Sequence, residues 1–136
     1  MGLLEDVGSL LTAASVATTS AGSTGWRLVY REFQPSPPSP TRQVCVVETG
    51  GYESEERAPI TRPTFQVRVR GSTGEGSTLE TKVQAVVTAL NFQEGTINGW
   101  VYADISMAGD RLYLGRDEHQ QPQYSINFET VRSRTS

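Results

Sequence analysis

The segment Phe65-Gln66-Val67-Arg68-Val69-Arg70 alternates apolar and polar side chains without a fault. Successive side chains of a strand point to opposite faces, so this run predicts a strand with Phe65, Val67 and Val69 in a core. Gln66, Arg68 and Arg70 then line its other side. After a glycine-rich link at 71–76 the period changes. Leu79, Val83, Val86 and Leu90 recur at helical spacing with Val87 beside them, which predicts a helix over 77–90. Ser77 and Glu80 are spaced as a capping box, and Gly95 is placed to end the helix. A strand with one apolar face, joined by a short link to a helix with one apolar stripe, has to pack as a mixed layer of sheet and helix.

The remaining segments extend that layer. Leu3, Val7, Leu10 and Ala14 form a helical stripe with Leu4 and Leu11 beside it. Gly8 inside it costs about 1 kcal/mol relative to alanine, so packing must hold this helix. The polar run 18–25 ends it. Residues 26–33 set Trp26, Leu28 and Tyr30 against Arg27, Val29 and Arg31, as in a strand with one wet face. Prolines 35, 37, 38 and 40 exclude a helix or central strand and predict a loop at 34–42. Their spacing also fits the PxxP pattern of SH3-type ligands, the alternative being a stiff connection between strands. Residues 44–49 form a short apolar strand closed by Gly50-Gly51. The stretch 50–63, with Glu53, Glu55 and Glu56, reads as a flexible connector that is either solvated or an arm toward a neighbour. Strands follow at 100–105, 112–115 and 124–128, and a tail at 132–136. The expectation is one α+β domain over 1–136, in the order αβββαβββ, with a mostly antiparallel sheet and two helices on one face.

A chain of 136 residues with 36% hydrophobic content, 13 glycines and 7 prolines has a thin core for one domain. Burial between subunits would supplement it. The net charge of −3 gives no general pull on nucleic acid. Arg68 with Arg70, and Arg132 with Arg134, are the basic pairs, expected to be solvated or ion-paired. Cys45 stands alone within Val44-Cys45-Val46-Val47 and reads as a buried thiol. Acids at Glu5 and Asp6 stand where a signal peptide would carry Lys or Arg, and Asp6 denies the myristoylation pattern. No apolar run approaches the roughly 20 residues that span a bilayer. A soluble protein made in the cytoplasm, with no membrane partner, is expected.

Catalytic patterns fail on their chemistry. The stretch 71–78 lies where a phosphate-binding loop would lie, but Ser77 replaces the lysine and Glu75 repels an anion. His119 is the sole histidine, and Gln120-Gln121-Pro122 after it have the composition of an exposed turn. One Cys and one His cannot build a zinc site. Asp104, Asp110, Asp117 and Glu118 lack EF-hand spacing, and nothing favours a carboxylate pair among them. No catalytic residue, metal or cofactor is expected.

Three stretches together resemble the tail terminator proteins of long-tailed bacteriophages. They are Val44-Cys45-Val46-Val47-Glu48-Thr49-Gly50-Gly51, Pro63-Thr64-Phe65-Gln66-Val67-Arg68-Val69-Arg70-Gly71, and Leu114-Gly115-Arg116-Asp117-Glu118 running on to Tyr124-Ser125-Ile126-Asn127-Phe128. The order agrees as well: a helix at the start, a strand feeding a second helix, and a last strand ending in Asn-Phe. The resemblance implies a structural virion protein, not an enzyme. It implies a ring, usually a hexamer, that caps the tail tube, stops its polymerisation and joins tail to head. Its partners would be copies of itself, the tail tube protein and a head-side connector, with DNA passing close by without specific binding. Its place would be the neck of the virion, after assembly in the host bacterial cytoplasm. Gln66, Arg68 and Arg70 are then candidates for contacts with a neighbour or the channel. Another connector or a tube subunit, or a small soluble binding module, are the competing readings.

Overall fold

A computed structural model of the chain describes residues 2–21, 25–35, 41–53, 60–74 and 76–134. The elements run α1 (Leu3–Ala13), β1 (Arg27–Tyr30), β2 (Gln43–Glu53), β3 (Ile60–Arg70), α2 (Gly76–Leu90), β4 (Gln93–Ile97), β5 (Trp100–Met107), β6 (Leu112–Arg116) and β7 (Pro122–Arg134). The class is α+β, as expected. One sheet takes the order β1-β2-β3-β7-β5-β4, with β6 also paired to β7. β1 and β2 are parallel and all the other pairs antiparallel. β7 is the spine of this sheet. It pairs with β3 on one side, while its residues 122–125 meet β6 and its residues 128–134 meet β5 on the other.

The alternation in β3 has the expected result. Phe65, Val67 and Val69 are fully buried, and Phe65 stacks on Phe128 of β7 with ring centroids 5.1 Å apart. They share one apolar cluster with Leu79, Val83, Val86 and Leu90 of α2. Each such side chain contributes about 1.5–3 kcal/mol on burial. α1 touches β2 and α2, and α2 touches β3, β5 and β7. The stripe of α1 is rotated from the expected one. Leu3, Leu4, Val7 and Leu11 are buried, Leu10 is half-buried, and Ala14 is exposed beyond the helix end. Gly8 is buried, and a Cβ there would run into the Tyr30 hydroxyl, with Leu28 Cδ2 at 3.2 Å, so the position needs glycine.

Several boundaries differ from those expected. A fourth strand, β4, lies where the helix end was placed, making the order αβββαββββ. Gly95 (φ 137) sits at the β4–β5 register shift and does not stop α2. Phe92 takes the left-handed turn after α2 with φ 63, and Asn98-Gly99 (φ 50 and 85) turn β4 into β5, as their type favours. Ser77 lies inside α2, so it is not a cap; Glu80 accepts a hydrogen bond from the Tyr124 hydroxyl at 3.3 Å. β2 and β3 pair out to Glu53 and Thr61, which narrows the 50–63 connector to residues 54–59, outside the described residues. Most of the proline-rich loop, at 36–40, is also outside them. The tail placed at 132–136 begins later, because β7 continues through Arg134.

Arg132 holds that strand end in place. Its Nη1 donates to the Tyr102 hydroxyl at 3.2 Å and lies 3.8 Å from Asp6 Oδ2. Asp6 is fully buried on α1 and accepts hydrogen bonds from Tyr102 and, at 2.7 Å, from Asn98 Nδ2. The Arg132 guanidinium stacks 3.9 Å from the Trp100 ring centroid. Burial, reinforced by the bond to Asp6, pushes the Tyr102 pKa upward. One buried carboxylate thus ties α1, the β4–β5 turn, β5 and β7 together.

Candidate assembly surface

The polar side of β3 forms a ladder across the sheet. Gln66 pairs with Val47 on β2 and Asn127 on β7, and Arg68 with Cys45 and Ser125. Gln66 Nε2 donates to Asn127 Oδ1 at 2.9 Å, and Arg68 Nε donates to Gln66 Oε1 at 2.6 Å. Thr49 and Thr64 share a hydrogen bond at 2.7 Å, and Arg31 meets Glu48 at 2.6 Å. These bonds hold long polar side chains in fixed positions while Arg68 and Asn127 remain exposed.

Arg70, on the same side of the strand, has a different setting. It is buried, donating from Nε to the Thr41 carbonyl at 3.0 Å and from Nη2 to the Gln34 carbonyl at 3.2 Å. Its guanidinium lies 4.8 Å from the Phe33 ring centroid, and burial pulls its pKa below the usual arginine value. Fully buried Gln43 binds both the amide and the carbonyl of Gln34. The structure therefore brings Gln66 and Arg68 together on the surface and uses Arg70 within the chain, to fasten both flanks of the proline-rich segment.

The residues weighed for chemistry do not converge. His119 is exposed and 3.6 Å from Glu118 Oε1. Asp117 Oδ1 accepts the amides of His119 and Gln121, which forms a turn. Burial works to raise the Asp117 pKa, but these amides and Gln123 outweigh it and hold the group below the usual carboxylate value. Among the described residues no group of three or more His, Cys, Asp and Glu could hold a metal ion. None of their helices is long and apolar enough to cross a membrane. Cys45 is buried, and burial pushes its thiol up to about 11.

A second kind of surface lies at β6, where Leu112, Tyr113 and Leu114 are 59%, 50% and 47% exposed; Phe92, in the turn before β4, is 78% exposed. Composition gave no sign of it, since the exposure follows from the position of β6 beside β7. Asp6 was also passed over. Its signal was an acid on the apolar side of a helical stripe.

The profile of a family described as bacteriophage tail terminator protein matches residues 10–134. Among solved structures, a chain of the "Virion of native gene transfer agent (GTA) particle" matches with a TM-score of 0.72 at 16% identity, covering 96% of this chain and 94% of that one. No curated protein matches.

Proposed function

Because the chain belongs to the bacteriophage tail terminator family, and is thus a structural protein of the virion tail, we propose that it ends tail assembly by closing into a ring. In this reading six copies cap the tail tube and stop its polymerisation. The ring stays in the neck, joins the tail to the head through a connector protein, and lets DNA pass through its centre. No catalytic step or cofactor is involved. The family match along nearly the whole chain carries the proposal.

The surface supports it physically. Gln66 and Arg68 are held in position by a hydrogen-bonded ladder, so they can meet a neighbour or line a passage with little loss of side-chain freedom. Arg70 contributes indirectly, by holding the flanking residues Gln34 and Thr41. A mildly acidic chain has no general attraction for DNA, which suits a passage more than a binding site. Copies related by rotation meet through unlike patches, and closure limits their number.

Mass measurement in solution and negative-stain images, with the protein alone and with tail tubes, test the reading. Closed rings of six, seated on tube ends, are expected. Long stacks would make the chain a tube subunit. A solitary particle with tubes present and at tens of micromolar would overturn the proposal.

A further inference from the structure

Asn98-Gly99 forms the two-residue turn between β4 and β5, with Ile97 paired to Trp100 across it and φ values of 50 and 85. Asn98 is exposed, so water reaches it, yet its side-chain amide donates to Oδ1 of the buried Asp6 at 2.7 Å. Asparagine is a chemically labile residue. It is most open to attack from its own backbone when glycine follows, because glycine has no Cβ to shield the attacking nitrogen. The other asparagines of the chain, Asn91 and Asn127, each precede a phenylalanine. The turn anchored to the buried acid is thus also the place where the chain is most able to lose a side-chain amide.

We propose that Asn98 is a deamidation site guarded by Asp6: the amide survives while their contact is closed, and once converted it keeps the contact from closing again. The Gly99 nitrogen attacks Cγ of Asn98. A bond forms between them, the Cγ–Nδ2 bond breaks, and the side-chain nitrogen leaves as ammonia with the Gly99 amide proton. Water then opens the resulting ring at either carbonyl, which gives aspartate or isoaspartate at this position. The bond to Asp6 opposes the first step. It fixes the side-chain torsions, and a carboxylate accepting from Nδ2 pushes charge onto the amide, so Cγ becomes a poorer electrophile. Either product replaces the donor by a carboxylate beside a buried carboxylate, where like charges repel. The Arg132 guanidinium, 3.8 Å from Asp6 Oδ2, already answers the first of these charges. Isoaspartate also routes the backbone through the side chain, which lengthens a turn built for two residues. The change concerns how α1 and the β4–β5 turn stay joined within one subunit, so it does not rest on the ring reading.

The test follows the full chain in mildly alkaline buffer, with the amide-to-acid mass change located by peptide mass spectrometry. Asn98 is expected to convert at least tenfold more slowly in the folded chain than in urea. Asp6→Ala should speed its conversion in the folded chain about tenfold, whereas Val86→Ala, a core change outside the network, should alter it less than about twofold. Far-ultraviolet circular dichroism verifies that each variant is folded. Asn98→Asp, which carries the product from the start, should show a lower denaturation midpoint. Adding Asp6→Asn to it should recover part of that loss, because donor and acceptor are then exchanged. Equal rates in the folded chain and in urea, equal acceleration by Asp6→Ala and Val86→Ala, or an unchanged midpoint in Asn98→Asp would overturn the proposal.

Discussion

Asp6 shows how much one side chain can set. It is charged, fully buried, and supplied with partners from three other elements. Removing one member of a buried ion pair strands the other, at a cost of about 3–5 kcal/mol. Asp6→Ala is therefore expected to lower unfolding free energy by about 3 kcal/mol or more in denaturant titrations, with Arg132 left unpaired. Phe92 works in the opposite sense. Its left-handed backbone disfavours any side chain with a Cβ, and its ring is mostly in solvent. Phe92→Gly should raise stability by about 0.5–1 kcal/mol, read as a higher denaturation midpoint. For Cys45 the raised pKa means that the folded chain keeps a proton that the unfolded chain would release near pH 9. That preference stabilises fully below pH 9 and is lost as pH rises toward 11. Denaturation at pH 8 and pH 10.5 should show this loss, reduced in Cys45→Ala. The thiol's burial was legible from its apolar neighbours. The role of Asp6 was not, because an acid near a helix start reads as a favourable dipole contact on the surface.

Among the elements, α1 depends on contact more than on propensity. Gly8→Ala would improve helix propensity by about 1 kcal/mol, yet the new methyl would meet Tyr30. Overpacking of this kind costs about 1–3 kcal/mol, so the net effect expected is destabilisation. Tyr30→Phe, which removes the hydroxyl, should recover part of that loss in a double-mutant cycle. The 65–70 part of β3 and α2 were legible because Phe65, Val67 and Val69, and Leu79, Val83, Val86 and Leu90, keep an unbroken period and are all buried. β4 was not, although Asn98-Gly99 marks a hairpin turn. Gly95 also fits a helix stop, and that reading absorbed the strand before the turn. The far parts of β2 and β3 were hidden for a related reason. A polar, proline-containing stretch resembles a loop, but Gly51 and Pro63 remain register partners in the hairpin.

At the scale of the molecule, residues from both helices and the sheet meet in one apolar cluster, so no part has a core of its own. Unfolding should then be a single transition. Trp26 lies beside β1, with Lys82 5.3 Å from its ring, and Trp100 lies on β5 under Arg132. Variants keeping one tryptophan each should report coincident fluorescence midpoints, whereas separate midpoints would divide the core. The apolar surface at β6 and the polar ladder were only partly legible. The residues of the ladder stand out in β3, but the position of each strand within the sheet is not written in local pattern. β7 is the clearest case. It is synthesised after every other strand, yet it lies between β3 on one side and β5 and β6 on the other. The sheet therefore cannot close before β7 itself has been made. β5 and β6 must wait on the ribosome without their common neighbour, so a subunit becomes competent to assemble only once translation has passed Arg134.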